Sequence, residues 1–394
     1  LDEELGQSDL DLDTLLAESD ASEAPVVRLL QNIFEDAVQV SASDIHIEPD
    51  EAVLRVRLRI DGELQEQVMK ERRVVSALVS RLKIMSGLDI AEKRLPQDGR
   101  FNIRILNRSI DVRLSTLPTQ YGEAVVMRLL DQSQGLLNIS ALGMTPTILK
   151  RFRTLITRPH GMVLVTGPTG SGKSTTLYAA LNSLNAENKK IITAEDPVEY
   201  RLPRINQVQI NTKIGLTFSR ILRTALRQDP DIILIGEMRD TDTTEIALRA
   251  AMTGHMVLST LHTNDAISTA MRLMDMGADA YLVASSLRAV IGQRLIRKVC
   301  QNCKSPYQLS PQEKSWLIGI GTDAEKHIFY KGEGCHHCSN TGYVGRTGVY
   351  ELLELDDEML DALRRNDTGS FIRLAKASDL YLPLSTCALE LAIL

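Results

Sequence analysis

The stretch MVLVTGPTGSGKSTT, Met162 to Thr176, holds the densest chemistry in the chain. Gly167, Gly172, Lys173 and Ser174 fill the spacing G-x-x-x-x-G-K-[ST], behind an apolar run and ahead of a helical one. Glycines let the N–H groups of such a loop wrap a phosphate chain, and the helix that follows adds the positive end of its dipole. The lysine reaches the outer phosphates and the serine hydroxyl ligates Mg²⁺. Gly167, Pro168, Thr169, Gly170, Ser171, Gly172, Lys173, Ser174 and Thr175 are therefore the expected cradle for ATP, with Ser174 also on the Mg²⁺.

A cradle for phosphates needs a partner that activates water. In RQDPDIILIGEMRD, Arg227 to Asp240, four consecutive aliphatics read as a strand buried on both faces, and the chain leaves it through Gly236 into Glu237. A carboxylate at that strand end can orient an attacking water or help hold Mg²⁺ through a water. The pull of a helix N-terminus explains Asp240 and Asp242 better than Glu237. ITAEDPVEY sets Glu195, Asp196 and Glu199 at another strand end, and one of them is expected to face the metal or the water; sequence does not choose among them. GHMVLSTLHTNDA ends a strand near Thr260 and His262, where a donor could sense the γ-phosphate, while His255, before the strand, equally suits a surface histidine.

Four of the five cysteines form two C-x-x-C pairs, Cys300 with Cys303 and Cys335 with Cys338, 31 residues apart. In a reducing compartment such pairs suggest a metal before a disulfide. Four thiolates suit tetrahedral Zn²⁺ and leave no open position, so the expected role is structural, with His336 and His337 as spectators. The separation exceeds that of a compact ribbon, so the intervening segment must carry a small structure of its own.

The elements that position these residues read as α/β. From GMVLVTG to HMVLSTLH, unbroken apolar strands alternate with helices around 217–228 and 240–253, the pattern of a parallel sheet covered on both faces with ligands at its carboxyl ends. Ahead of it lies a smaller α+β unit: a helix from Pro25, an alternating strand VLRVRLRI closed by an Asp61-Gly62 turn, a helix near 71–87, and strands around 101–105, 109–117 and 124–130. Its arginines fall on one face, the pattern of a solvated surface. Residues 131–147, with Gly135, Gly143 and Pro146, read as a connector.

Composition bounds the rest. The 394 residues are 43% hydrophobic and 24% charged, with no apolar run of 18 residues and no signal peptide, so a cytosolic protein that does not cross a membrane unaided is expected. Residues 1–24 carry nine acids and no Lys or Arg, which leaves the remainder at +3 against −6 for the whole chain; the leader reads as a solvated linker. The first residue is Leu1, so an N-terminal portion is expected to be missing. A mildly basic body without interleaved aromatics argues against a nucleic-acid motor or binding protein, the alternative of another class.

These stretches together resemble the secretion ATPase family of bacterial type II secretion and type IV pilus machines. The likeness runs from SDIHIEP (Ser43 to Pro49) through RIDGEL, LDIAEKRLPQDGR, RLSTLPTQYGE and the P-loop to LRQDPDIILIGEMRDTDTTEIALRAAMTGH and GRTGVYELL. It implies a RecA-like ATPase core flexibly linked to a smaller PAS-like α+β domain, with a zinc-binding insertion, in a ring of six subunits. It also implies that Glu195 belongs to an Asp box, Glu237 to a Walker B motif, and His255 and His262 to a His box. Arg113 and Arg128 match arginines that the family's smaller domain presents to the nucleotide; Arg223, Arg227 and Arg239 are weaker candidates.

The tetracysteine insertion resembles secretion and pilus-assembly members rather than pilus-retraction ones, so a motor for type II secretion is expected, with pilus assembly as the alternative. The resemblance further implies docking at the inner membrane through a partner protein that holds the missing N-terminal portion. The expected segments are an acidic linker at 1–24, the smaller domain at 25–130, a connector at 131–147, the ATPase core at 148–299, the zinc module at 300–340 and a C-terminal helical region at 341–394. Beyond about Asp367 the tail departs from the polar, Gly-containing ending expected of the family, and neither it nor Cys387 is assigned a role.

Overall fold

Alternation of apolar and charged side chains builds the first unit. The computed structural model describes residues 10–11, 24–69, 74–132 and 138–393, and the chain divides into two units, Leu1–Gly135 and Leu136–Leu394. In the first, β1 (Leu10–Asp11), β2 (Asp44–Pro49), β3 (Leu54–Ile60), β4 (Glu63–Met69), β5 (Gln97–Ile105), β6 (Arg108–Thr119) and β7 (Gly122–Asp131) form one sheet in the order β1-β5-β6-β7-β2-β3-β4. Only the β1–β5 pair is parallel. Leu54, Val56 and Leu58 of β3 point into a core shared with the helices Ala24–Gln39 and Val75–Met85, where the Phe34 ring meets Phe101 edge-on at 6.3 Å. Asp61 and Gly62 both have positive φ, as the tight β3–β4 turn requires. The acidic leader falls almost wholly outside the described residues.

In the second unit, strands rich in Ile, Val and Leu are buried along their whole length because helices cover both faces. β8 (Gly161–Thr166), β9 (Ile191–Glu195), β10 (Asn206–Gln209), β11 (Ile232–Ile235), β12 (Met256–Leu261), β13 (Leu287–Val299), β16 (Tyr343–Glu354) and β17 (Tyr381–Leu382) form a sheet ordered β10-β9-β11-β12-β8-β13-β16-β17. β10 through β13 run parallel, and β16 and β17 run antiparallel. Met162 and Leu164 pack with the helices Phe218–Ala225, Thr241–Met252 and Ala266–Asp275 on one face; Val163 and Val165 pack with Pro146–Ile156 and Lys173–Leu184 on the other.

One feature differs from expectation. The region 341–394 is not helical throughout: β16 occupies Tyr343–Glu354, and its buried Val349 to Leu353 extend the ATPase sheet. The tail is packed in place as well. Phe371 is fully buried on one face, Cys387 lies in the core of the other, and the Tyr381 hydroxyl donates to Glu351 at 2.6 Å.

Between the cysteine pairs, β14 (Lys304–Tyr307) and β15 (Phe329–Gly332) pair antiparallel, and the helix Pro311–Gly319 starts from a capping box of Ser310 and Glu313. β13 and β16 carry this module. β13 leaves β8 at Gly292 and continues paired with β16 alone to Val299.

Candidate active site and candidate metal centre

The loop after β8 can fold only because its glycines lack side chains. A Cβ on Gly167, at φ +149°, would lie 2.5 Å from the Gln293 carbonyl oxygen, and one on Gly172, at φ +87°, 2.7 Å from the Gln293 amide. The helix Lys173–Leu184 begins directly behind, so the loop's N–H groups and the helix dipole converge where phosphates would lie. Ser171 Oγ is buried with no hydrogen-bond partner among the described residues, and Ser174 and Thr175 are exposed in the first turn. An orphaned hydroxyl inside a glycine cradle fits a phosphate ligand.

Lys173 is 8% exposed. Its ammonium donates to the carbonyls of Gly167 at 2.8 Å and Pro168 at 3.1 Å, and lies 3.5 Å from His262 Nδ1. Burial holds its pKa below the usual lysine value; Glu237 opposes that shift and Arg294 adds to it. His262, just past β12, sets its other nitrogen 3.3 Å from Glu237 Oε2. An ammonium only donates, so Nδ1 accepts and the proton sits on Nε2, facing the carboxylate. Lys173, His262 and Glu237 thus form one chain of contacts across the ends of β8, β11 and β12. Arg239 pairs with Glu237 as well and reaches Asp196 at 3.4 Å.

Glu195 lies elsewhere. At 4% exposure, its carboxylate accepts from the Tyr178 hydroxyl, from Thr193 Oγ1 at 2.5 Å and from Gln207 Nε2 at 3.1 Å. No hydrogen bond or ion pair joins it to Lys173, His262 or Glu237 among the described residues. Tyr178 comes from the helix behind the loop, and its hydroxyl also accepts from the Glu199 N–H at 3.1 Å. Burial, the adjacent Glu195 charge and the hydrogen bond to Glu195 push its pKa far up, against the Glu199 N–H, which lowers it. His255 is likewise away from the site, with Nδ1 3.0 Å from the Ala250 carbonyl. Asp240 caps the helix Thr241–Met252, accepting from Thr243 N–H at 2.7 Å, as its position after the strand suggested.

Gln293 was missed by motif reading. It is 2% exposed, accepts from Thr176 Oγ1 at 2.7 Å and supports both loop glycines. An uncharged polar residue directly behind the apolar run AVIG, Ala289 to Gly292, is the signal that could have found it. Its neighbour Arg294 donates to the Asn264 carbonyl at 2.8 Å, beside His262.

Arg113 and Arg128 belong to the first unit. The register sets Arg59, Asp44, Arg128, Arg113 and Arg100 directly opposite one another across β3, β2, β7, β6 and β5. Arg128 Nε lies 3.1 Å from Asp44, and Arg100 grips Asp111 through two bonds of 2.6 and 2.9 Å. Arg113 and Arg128 stand directly opposite, and the like charges are offset by the carboxylates of Asp111, 3.8 Å from Arg113, and Asp44.

At the far end of β13 the four cysteine sulfurs lie within 4.8 Å of one another. Cys300–Cys335, Cys303–Cys338 and Cys335–Cys338 are separated by 3.9, 3.8 and 3.7 Å. A tetrahedron of Zn–S bonds near 2.3 Å has edges of about 3.8 Å, so the donor set fits zinc. The N–H groups of Cys335 and Gly342 point at Cys338 Sγ from 3.1 and 3.2 Å, as donors around a metal-bound thiolate do. The two arms of the second knuckle approach so closely that a Cβ on Gly332 would lie 1.9 Å from the Gly342 oxygen.

Residues 19–385 match the family described as Type II/IV secretion system protein. The chain belongs to that family. It is 50% identical over 358 residues to Type II secretion system protein E of Klebsiella pneumoniae, covering 91% of this chain and 71% of that one. Type II secretion system ATPase E of Vibrio cholerae is 48% identical over 363 residues, covering 92% and 71%. Among solved structures, the pilus retraction motor PilT with bound ADP superposes with a TM-score of 0.60 at 26% identity, over 91% of this chain and 95% of that one. The Legionella pneumophila ATPase DotB gives 0.68 at 21% identity, over 93% and 92%, a likeness of fold. Among the described residues of this secretion-family chain, no helix is long and apolar enough to cross a membrane.

Proposed function

We propose that this member of the secretion family hydrolyses ATP at the P-loop end of its second unit and that the energy drives type II protein secretion. The observation that carries the reading is the contact chain Lys173–His262–Glu237 beside a glycine cradle with an orphaned hydroxyl. The secretion system is the one named for relatives at 48–50% identity; the solved pilus motor stands at 26%.

In this reading Gly167 to Thr175 hold the triphosphate, and Lys173 turns from its own loop carbonyls to the outer phosphates. Mg²⁺, held through Ser174, would neutralise charge on those phosphates. Glu237 orients the water, and His262 fixes the carboxylate through Nε2–H while its other face stays next to Lys173. Glu195 reaches the nucleotide only if Tyr178 releases it, so in the arrangement described it braces the loop that carries Asp196. Arg113 and Arg128 supply guanidinium charge to the phosphoryl group from the first unit. The four cysteines hold zinc as a structural ion. A ring of six copies, docked at the inner membrane by a partner protein, completes the reading.

Phosphate release from Mg-ATP by the full chain tests it. Glu237→Gln should cut turnover about a hundredfold or more while nucleotide binding persists. Undiminished turnover in that variant would remove Glu237 from the site.

A further inference from the structure

Beside the contact chain, away from the glycine loop, a cleft of about 230 Å³ opens. Glu237, Arg239, His262 and Arg272 line it, with Met238 and Met276 among its apolar walls. None of its lining residues comes from the loop 167–175. His262 and Glu237 therefore stand between two compartments: Lys173 touches His262 on one side, and the arginines lie on the other.

The charges in this cleft do not balance. Both oxygens of Glu237 are engaged, by Arg239 and by His262, and Arg239 is shared with Asp196. Arg272, on the helix Ala266–Asp275, lies exposed at the rim of the cleft and forms no ion pair among the described residues. A guanidinium without a carboxylate keeps its hydrogen-bonding fork open to a small oxyanion.

Resting on the ATPase reading above, we propose that the cleft is a binding site for orthophosphate, which enters it past His262 and Glu237 after cleavage, with Arg272 as the principal contact. Hydrolysis leaves a phosphate dianion close to the Glu237 carboxylate, which repels it. The unpaired charge of Arg272 is the nearest cationic group in the cleft not already committed to a carboxylate, so the product moves toward it while ADP stays in the cradle. A phosphate held there also competes with Glu237 for Arg239, which ties occupancy of the cleft to the carboxylate that orients water.

Titration of inorganic phosphate into the ADP-saturated full chain, followed by phosphorus NMR and by product inhibition of ATP hydrolysis, tests this. The wild type should show saturable phosphate binding. Arg272→Ala should weaken it at least tenfold, with ADP affinity and the KM for ATP within twofold of wild type, and Arg272→Lys should recover part of the loss. Equal phosphate affinity in wild type and Arg272→Ala, at matched thermal stability, overturns the proposal. So does a wild type that ignores phosphate but changes oligomeric state on Arg272→Ala, which would assign the cleft to an acidic side chain of another copy. A chain that binds no ADP and hydrolyses no ATP would instead sink the functional reading, and the same titration without nucleotide would still decide whether Arg272 holds phosphate.

Discussion

The P-loop end of the second unit and its four-cysteine cluster are joined by the same two strands, yet their polar groups are satisfied in opposite ways. At the P-loop, Lys173 leans on its own loop carbonyls, Glu237 is shared by an arginine and a histidine, and Ser171 Oγ has no partner. Each of those contacts can be exchanged for a contact to a ligand. In the cysteine cluster three sulfur pairs already stand at the edge length of a zinc tetrahedron, and close glycines leave no slack between the arms of the second knuckle. One site is arranged to trade partners in every cycle, and the other to keep a single partner.

Breaking each site should therefore give different signatures. Lys173→Ala should lower kcat about a thousandfold, the upper range for losing one charge-stabilising donor, without changing zinc content by metal analysis. Replacing Cys335 and Cys338 by Ser, or stripping metal with a chelator, should release one zinc per chain and lower the melting temperature by several degrees, as a structural zinc site requires. Hydrolysis that survived the lysine change, or thermal stability indifferent to the chelator, would erase the contrast.

Smaller effects sharpen it. Tyr178→Phe removes one of three side-chain donors to a buried carboxylate, at a cost of about 1–3 kcal/mol in chemical unfolding. Turnover should fall less than tenfold if Glu195 is a brace. A fall as deep as that of the Lys173 variant would place Glu195 at the reaction instead.

The smallest effect concerns Glu351, between the two sites. Burial raises its pKa above the ordinary 4.5, against donors from Tyr381 and the Ala266 N–H. A carboxyl whose folded pKa is raised contributes stability below its unfolded pKa and loses it as pH climbs through the folded one. Glu351→Gln should flatten the decline in melting temperature from pH 4.5 upward. An unchanged slope would show that another group sets it.

What could be read from sequence follows the same division. The P-loop, Glu237 and the cysteine pairs are legible because their spacing within one segment is the chemistry. The small unit's strands are legible because Leu54, Val56 and Leu58 alternate with arginines. Gln293 and Tyr178 are not, since each acts through a neighbour 117 or 17 residues distant and matches no local pattern. The region 341–394 misled for a related reason. Strand β16 earns its place through pairing with β13, and long-range pairing leaves little trace in a single segment. Glu195 was placed correctly on its strand, but the hydroxyl that claims it comes from the helix behind the P-loop.

Strand β13 has a mechanical consequence. Gln293 sits against the phosphate loop and Cys300 against the metal cluster, seven residues apart and spanning roughly 23 Å at about 3.3 Å per residue. The partner β16 runs alongside, so the pair forms a stiff lever with its fulcrum where β8 ends. Load applied to the tip of the cysteine module is therefore expected to reach first the residue that props Gly167 and Gly172.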